Sequence, residues 1–501
     1  MAESRYDVAI IGAGFSGPIL AANIAEKGVN PQTREPLKVA LIEAGPYLKG
    51  TPSPGYGSAL RRLRFTNLGG SDPAFHWRDR GARIVGGSSL HWQASALLPF
   101  PIDYLHWQKE TGVDWTEENF REAVEEIRRE FNIHEYPEEV NTRGNKLFYE
   151  VAKQMGYDPR RQIGARRNCI YCGNCRTFVM CKYDSRSSTL ASYIPKAEKY
   201  GVDIVADTVV EKILIDAQGE RGIARGLICR DQTSTYEMMA DHIIISCGSR
   251  KTPLLLMRSG YGPPEWAANP ITVVNSNIGK HIDGHPRIPG ISALFDEPLG
   301  DGELRSIRGY FMIDDVRADG EGRLLFRSEL GDGKVPQAAA LDVFAPEFGR
   351  EHKKFMQEKV IFRTGSLNPN VAKPSGRWFM DPGGEMVYGG DHSLTLRRAK
   401  EGLAMAHEIL TKMGARKITP IDIPVTLNSR TRGSRLVGAC RAGIDPKNSV
   451  VNPYFESHDV DHLFVCDNSV IPRVTTGPTG VPLSTVAVFA AGRIVERHFK
   501  A

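Results

Sequence analysis

Several familiar features are missing from this 501-residue sequence. No apolar run reaches the roughly 18 residues that a membrane-spanning helix needs. The opening residues, MAESRYDVAI, pass straight into a strand pattern without the basic and apolar regions of a secretory signal. The expectation is a cytoplasmic protein, periplasmic only if co-exported with a signal-bearing partner. No internal repeat or low-complexity segment breaks the chain, so nothing points to a repeat architecture. A strong excess of one charge is also absent: 64 Lys and Arg face 59 Asp and Glu, a net +5. The densest basic stretch, residues 160–167 (RRQIGARR), is short and has no interleaved aromatics. It reads as a solvated face or a docking patch for an acidic partner, not a nucleic-acid site. Of eight cysteines, four crowd into residues 169–181. Cys229, Cys247, Cys440 and Cys466 stand singly in apolar or glycine-rich contexts and read as buried thiols. A disulfide framework is not the natural reading of a large chain with no signal.

Glycine and proline are plentiful instead, 50 and 31 residues, and imply many tight turns and close backbone approaches. The length exceeds what one hydrophobic core serves, so two intimately joined domains are expected. Residues 6–11 (YDVAII) form an apolar run, followed by Gly12, Gly14 and Gly17 and then helical periodicity through PILAANIAEKG. That order is strand, glycine turn, helix. A second strand over 38–42 ends at Glu43, after a proline-bearing loop, VNPQTREPL. Such glycines let the backbone approach a pyrophosphate, and the helix N-terminus offers free N–H groups and a favourable dipole. Glu43 is placed to accept hydrogen bonds from a ribose diol. Its spacing from Gly12 exceeds the usual ~20 residues by about the length of the loop insert. The unit reads as a dinucleotide site, with NAD and FAD both open.

Further along, residues 116–131 read as an amphipathic helix capped by Thr116, and 145–156 as another. Residues 188–201 have helical character. Strand patterns at 202–215 and 241–247 suggest a sheet resuming, while 290–395 alternates short strands and turns as a separate antiparallel sheet would. A helix at 396–413 follows, then glycine-rich turns, a strand at 463–466 and a final helix. The expected architecture is α/β. A Rossmann-like dinucleotide domain is assembled from 1–100, 200–290 and 430–501. A helical, cysteine-rich insertion covers 101–199, and an α+β substrate domain on an antiparallel sheet covers 291–429.

Four later segments narrow the choice: 81–92 (GARIVGGSSLHW), 243–260 (IIISCGSRKTPLLLMRSG), 279–286 (GKHIDGHP) and 438–472. Together they resemble the glucose–methanol–choline (GMC) oxidoreductases, FAD enzymes of p-hydroxybenzoate-hydroxylase-like architecture. Within that family the chain is most similar to bacterial flavin subunits of the gluconate and fructose dehydrogenase type, with pyranose-oxidase-like enzymes also near. The resemblance implies FAD held by Gly12, Gly14, Phe15, Ser16 and Gly17, with Glu43 and Ala44 at the ribose. Arg83, Gly86, Gly87, Ser88, Ser89, His91 and Trp92 belong to its second flavin loop. Val210 falls on its adenine-contacting strand, Cys247 and Gly248 on its sheet return, and Asp467 near the ribityl chain. Val481 and Pro482 open the last helix, whose N-terminus should face the pyrimidine end of the flavin. His91 lies where some members attach the flavin covalently. Dehydrogenase-like members need not be linked, and we read it as packed beside the ring.

The family oxidises an alcohol by passing hydride to flavin N5 while a base takes the hydroxyl proton. Its catalytic pair is normally His followed by His or Asn, and here both are replaced. SRLVGAC puts Arg435 at the first position, and TGVPLST puts Val481 at the second. Arginine stays protonated at working pH and cannot be a general base. It can hold a carboxylate or alkoxide, or stabilise the anionic reduced flavin. Three explanations stand, in this order. Another histidine such as His392 in YGGDHS supplies the base, or a residue of the substrate sheet does; the reaction needs no base there; or the subunit has lost alcohol oxidation and serves electron transfer, complex formation or other flavin chemistry. His285, His458 and His462 read as packing residues.

Cys169, Cys172, Cys175 and Cys181 follow a C-x2-C-x2-C-x5-C pattern. The first two gaps match bacterial ferredoxins, while the last is longer and no proline follows. An iron–sulfur cluster, a zinc site and plain thiols or local disulfides all remain open. By the resemblance, a cluster would draw electrons from FAD towards a carrier or small partner subunit. The expected substrate is a small carbohydrate-like alcohol: a sugar, polyol or glycoside.

Overall fold

The computed structural model describes residues 5–48, 82–90, 92, 94–171, 185–285, 291–300, 311–314, 324–330, 344, 348–357, 364–371, 377–391, 393–419 and 434–500. Strand β1 (Tyr6–Ile11) starts the architecture, with Val8, Ala9 and Ile10 fully buried. A strand so apolar has to be covered on both faces, which a parallel sheet between helix layers provides. It pairs in parallel with β2 (Val39–Ile42) on one side and with the end of the strand Thr235–Ile245 on the other. Asp203–Val205 extends the sheet beyond β2, and Leu463–Val465 extends it beyond Ile245, both in parallel. Val209–Gln218, Arg221–Arg230 and the front of Thr235–Ile245 form an antiparallel meander, with Val460–Asp461 at its edge, completing eight strands.

Helix α1 (Gly17–Lys27) is buried from Gly17 to Ala25. It packs between β2, the helix Tyr193–Lys199 and the C-terminal helix Gly480–His498, so it is apolar on nearly every side. A second sheet is wholly antiparallel, in the order Lys417–Ile418, Ile291–Leu294, Thr364–Val371, Leu324–Leu330, Phe311–Asp314, Pro159–Arg160. The helix Ser393–Lys412 lies on it and buries Leu403, Ala406, Ile409 and Leu410 against Ile291 and Ala293. No described helix is long and apolar enough to cross a membrane.

The described part of segment 101–199 contributes side chains to both cores. Pro101–Thr111 and Arg121–Glu130, with the turn between them, place Tyr104, Trp107, Trp115, Phe120 and Ile127 in the first core. Arg143–Gln154, capped by Thr142, places Phe148, Val151 and Ala152 in the second. Amphipathic helices must bury their apolar faces, and none of these three is long enough to enclose a core alone. The stretch 160–167 is a solvated face, as expected, apart from Arg166: Arg160, Arg161 and Arg167 are 58%, 45% and 39% exposed. Arg160 pairs with Asp158 at 2.9 Å, Arg161 with Glu138 at 3.0 Å and Arg167 with Glu130 at 3.8 Å. Arg166 is buried, its Nε donating to the Tyr136 hydroxyl at 2.9 Å. Neighbouring carboxylates match these cations locally.

Candidate functional site

A doubly wound sheet opens a crevice at the C-terminal ends of its parallel strands, and the glycine-rich segments converge there. Gly12 adopts φ 101°, and a Cβ on it would lie 2.5 Å from the Ser246 carbonyl oxygen. A Cβ on Gly17 would lie 1.9 Å from the Gly12 carbonyl oxygen. Neither position has room for a side chain. Gly14 differs: a Cβ there would meet nothing within 4 Å, so the space over the turn is open. The turn is clamped from two sides, Gly12 N donating to Ile42 O and Gly86 N donating to Ala13 O, each at 2.7 Å.

Glu43 stands at the end of β2 and is 8% exposed. Its Oε2 accepts from Ala13 N and its Oε1 from Gly45 N, both at 3.0 Å. Burial pushes this carboxyl above the usual carboxylate range, and the two N–H bonds oppose that rise. Each oxygen retains a further lone pair, so the carboxylate can brace the turn and still accept from a diol. Asp207 N donates to Gly45 O at 2.9 Å and Thr208 N to Glu43 O at 3.0 Å. These bonds bring the strand carrying half-buried Val210 to the same end of the sheet. Arg83 Nε donates to Ala44 O at 2.8 Å. Gly45 went unnoticed in the sequence, yet a Cβ on it would sit 2.1 Å from Arg83 O.

The second glycine loop turns through Gly86 (φ 96°) and Gly87 (φ 48°) into a short 3-10 turn, Gly87–Leu90, which includes Ser88. Ser89 Oγ donates to Gly86 O at 2.5 Å and accepts from Thr189 N at 3.1 Å. Thr189 Oγ1 in turn donates to Gly14 O at 2.8 Å. Thr189 thus joins both glycine turns, and no local pattern announces it. Trp92 meets Phe15 edge-on with ring centroids 5.3 Å apart. A Cβ on Gly480, at the start of the C-terminal helix, would lie 3.1 Å from Trp92 and 3.3 Å from Phe15. Both glycine turns and this helix N-terminus therefore meet at one place. Val481 and Pro482 point into the buried core at that first turn.

Asp467 is buried on the sheet-return side. Its Oδ2 accepts from Gly248 N at 2.8 Å and from Thr252 Oγ1 at 2.5 Å, and its Oδ1 from Ser469 N at 2.7 Å. Burial raises this carboxyl, against the pull of those bonds. Cys247 Sγ donates to Ile11 O at 3.5 Å, and burial pushes its thiol up to about 12. Such a thiol is a poor nucleophile. Cys229, Cys440 and Cys466 are buried, as expected.

These residues fit a dinucleotide of the FAD type. Among the described residues, Ser16 Oγ, Trp92 Nε1 and Asn468 Oδ1 are buried without a hydrogen-bond partner. Leaving polar atoms so is costly unless a ligand supplies the bond, and all three flank the crevice segments. Arg435 lies on Ser434–Val437, antiparallel to Asp283–His285 with Ser434 opposite the buried His285. The Arg435 side chain, His91, His392, Cys172, Cys175 and Cys181 lie outside the described residues. Among the described residues, no group of three or more His, Cys, Asp or Glu is arranged to hold a metal ion. The two ends of the cysteine segment are tied together, Arg167 N donating to Ser185 O at 2.8 Å and Ser185 Oγ to Asn168 O at 3.1 Å. His458 packs as expected, its Nε2 lying 2.9 Å from Ser449 Oγ.

Residues 68–287 and 385–487 match the N- and C-terminal family models described as GMC oxidoreductase. The fructose dehydrogenase large subunit of Gluconobacter japonicus is 24% identical over 98% of both chains. The gluconate 2-dehydrogenase flavoprotein of Pantoea cypripedii is 22% identical over 99% of this chain and 92% of its own. A long-chain-alcohol oxidase of Arabidopsis thaliana is 22% identical over 98% of this chain and 69% of its own. Among solved structures, formate oxidase superposes with a TM-score of 0.70 at 16% identity, covering 99% of both chains. Pyridoxine 4-oxidase from Mesorbium loti gives 0.67 at 19% identity, covering 97% of this chain and 98% of its own. At these identities the solved structures speak for the fold.

Proposed function

Since the chain belongs to the GMC oxidoreductase family of FAD enzymes acting on alcohols, we propose that it is a dehydrogenase for a small carbohydrate-like alcohol and passes the electrons on to a carrier or partner. The observation that carries this reading is the meeting of both glycine turns and the C-terminal helix at Phe15, Trp92 and Gly480. Likeness over nearly the whole chain to a fructose and a gluconate dehydrogenase supports a sugar or polyol as substrate. The name of the fructose dehydrogenase relative, a large subunit, supports a partner protein.

When bound, FAD supplies a two-electron acceptor for a hydride leaving the alcohol carbon. The chain's own residues do the rest. The Gly12–Gly17 turn and Ser16 would hold the pyrophosphate at the start of α1, and Glu43 would hold the adenosine ribose. Asp467, which accepts from Gly248 N, would hold that glycine against the ribityl chain. The first turn of Gly480–His498 would offer N–H groups to the pyrimidine end. Arg435 steadies the substrate oxygen as its proton departs. Because Arg435 cannot take that proton, we assign the base to His392. Cys169, Cys172, Cys175 and Cys181 are proposed to hold an iron–sulfur cluster. Their spacing supports it. Iron and acid-labile sulfide analysis tests that assignment.

Val481 favours a second reading, because a buried valine at the first turn offers no polar catalytic partner. On that reading the subunit carries FAD without oxidising alcohols. Anaerobic addition of sugars, polyols and glycosides to the flavin-loaded protein separates the two. Bleaching of the flavin band near ~450 nm by any of them supports the dehydrogenase. A flavin that dithionite reduces but no member of the panel bleaches would leave only the second reading.

A further inference from the structure

The C-terminal helix reaches the flavin site through a loop, of which residues 474–479 are all buried. Backbone polar groups in a buried loop need partners, and two aspartates from distant parts of the chain supply them. Asp103 Oδ1 accepts from the Thr476 N–H at 2.9 Å and from its hydroxyl at 2.8 Å. Asp103 Oδ2 accepts from Phe100 N at 2.9 Å, at the start of its own helix. Asp283 Oδ2 accepts from Val474 N at 3.0 Å. The two aspartates are 2% and 0% exposed.

The same helix grips the loop twice more. Trp107 Nε1 donates to Arg473 O at 2.9 Å, and Glu110 pairs with the Arg473 guanidinium at 3.5 Å. Arg473 also reaches Asp283 at 3.3 Å. Asp103, Trp107 and Glu110 follow i, i+4, i+7 spacing, so one face of Pro101–Thr111 holds the loop. At the far end of the loop Gly480 abuts Phe15 and Trp92, next to Ser16, whose buried hydroxyl has no partner among the described residues.

We propose that Asp103, seconded by Asp283, is a positioning residue for the flavin chemistry. By fixing Thr476 and Val474 it aims the first turn of Gly480–His498 at the ring of bound FAD. Negative charge developing on the ring is then met by free N–H groups and the positive end of the helix dipole. Aim matters more here than where a polar side chain helps at the same turn, because Val481 is apolar. Each aspartate acts through the loop backbone and not by touching substrate. The inference rests on the FAD reading above.

The test uses the full FAD-loaded chain and two variants, Asp103→Ala and Thr476→Val. Sulfite binding to the oxidised flavin reports how well the protein stabilises negative charge on the ring, and the midpoint potential reports it independently. Asp103→Ala is expected to retain FAD and bind sulfite about fivefold more weakly, with a lower midpoint potential. Thr476→Val removes only the hydroxyl bond and should move both readouts the same way by a smaller factor. If Asp103→Ala does not fold, Thr476→Val decides. A folded, FAD-loaded variant with wild-type sulfite affinity and potential overturns the inference. Wild-type protein that carries no FAD would overturn the flavin reading itself, a distinguishable failure.

Discussion

Glu43→Gln keeps the size of the side chain at the end of β2 and removes its charge. In the native protein the two carboxylate oxygens accept from Ala13 N and Gly45 N at 3.0 Å each. With glutamine, one of those N–H groups faces an amide NH2, and a buried donor without an acceptor costs about 1–3 kcal/mol. Against this, a neutral amide escapes the desolvation that is the largest influence on Glu43. The two effects oppose, so the melting temperature of the flavin-free protein should move by only a few degrees at most. Flavin affinity has no such offset. A ribose hydroxyl on an ionised carboxylate contributes about 1.5–3 kcal/mol, so losing one weakens FAD binding about ten- to a hundredfold. Titrating FAD into flavin-stripped protein and following flavin fluorescence measures it. Wild-type protein should show a similar loss on acidification, beginning above the ordinary carboxyl value of 4.5, because burial raises the Glu43 pKa. Unchanged FAD affinity in the folded variant would refute the placement of the ribose on Glu43.

Two glycines a few residues apart should behave differently. Gly17→Ala puts a Cβ 1.9 Å from backbone and must open the turn, so it should lower both the melting temperature and the FAD content, by about 1–3 kcal/mol or more in stability. Gly14→Ala meets no protein atom within 4 Å and should melt like wild type when stripped, yet bind FAD poorly, as absorbance ratios of the purified proteins would reveal. Mild acid should loosen the opposite end of the sheet. Burial lowers His242 and His498 from 6.5 to about 4, so both are neutral when folded and take up protons on unfolding. Stability should therefore fall as pH drops from 6.5 towards 4, and His242→Phe should flatten that slope in chemical denaturation.

What the residues announce locally is what could be read in advance. Gly12, Gly14, Gly17 and Glu43 form one strand–turn–helix–strand unit, so their spacing alone placed them. The apolar and antiparallel patterns likewise foretold two sheets. Contacts formed only by folding were invisible. Thr189 lies a hundred residues from its partner Ser89, and Asp103 lies 373 residues from Thr476. The partners of the solvated basic stretch 160–167 were hidden for the same reason: Glu130 and Glu138, which pair with Arg167 and Arg161, are distant in sequence and near in space. Arg435 was legible as a departure from the family pattern, and its strand does run beside Asp283–His285.

The central claim is a flavin in the crevice between β1, the Gly86–Ser89 loop and the C-terminal helix. Denaturing purified protein and quantifying the released chromophore tests it most directly. One FAD per chain, undiminished by preincubation with excess NAD, is the predicted result. Protein that binds NAD and yields no FAD would contradict it.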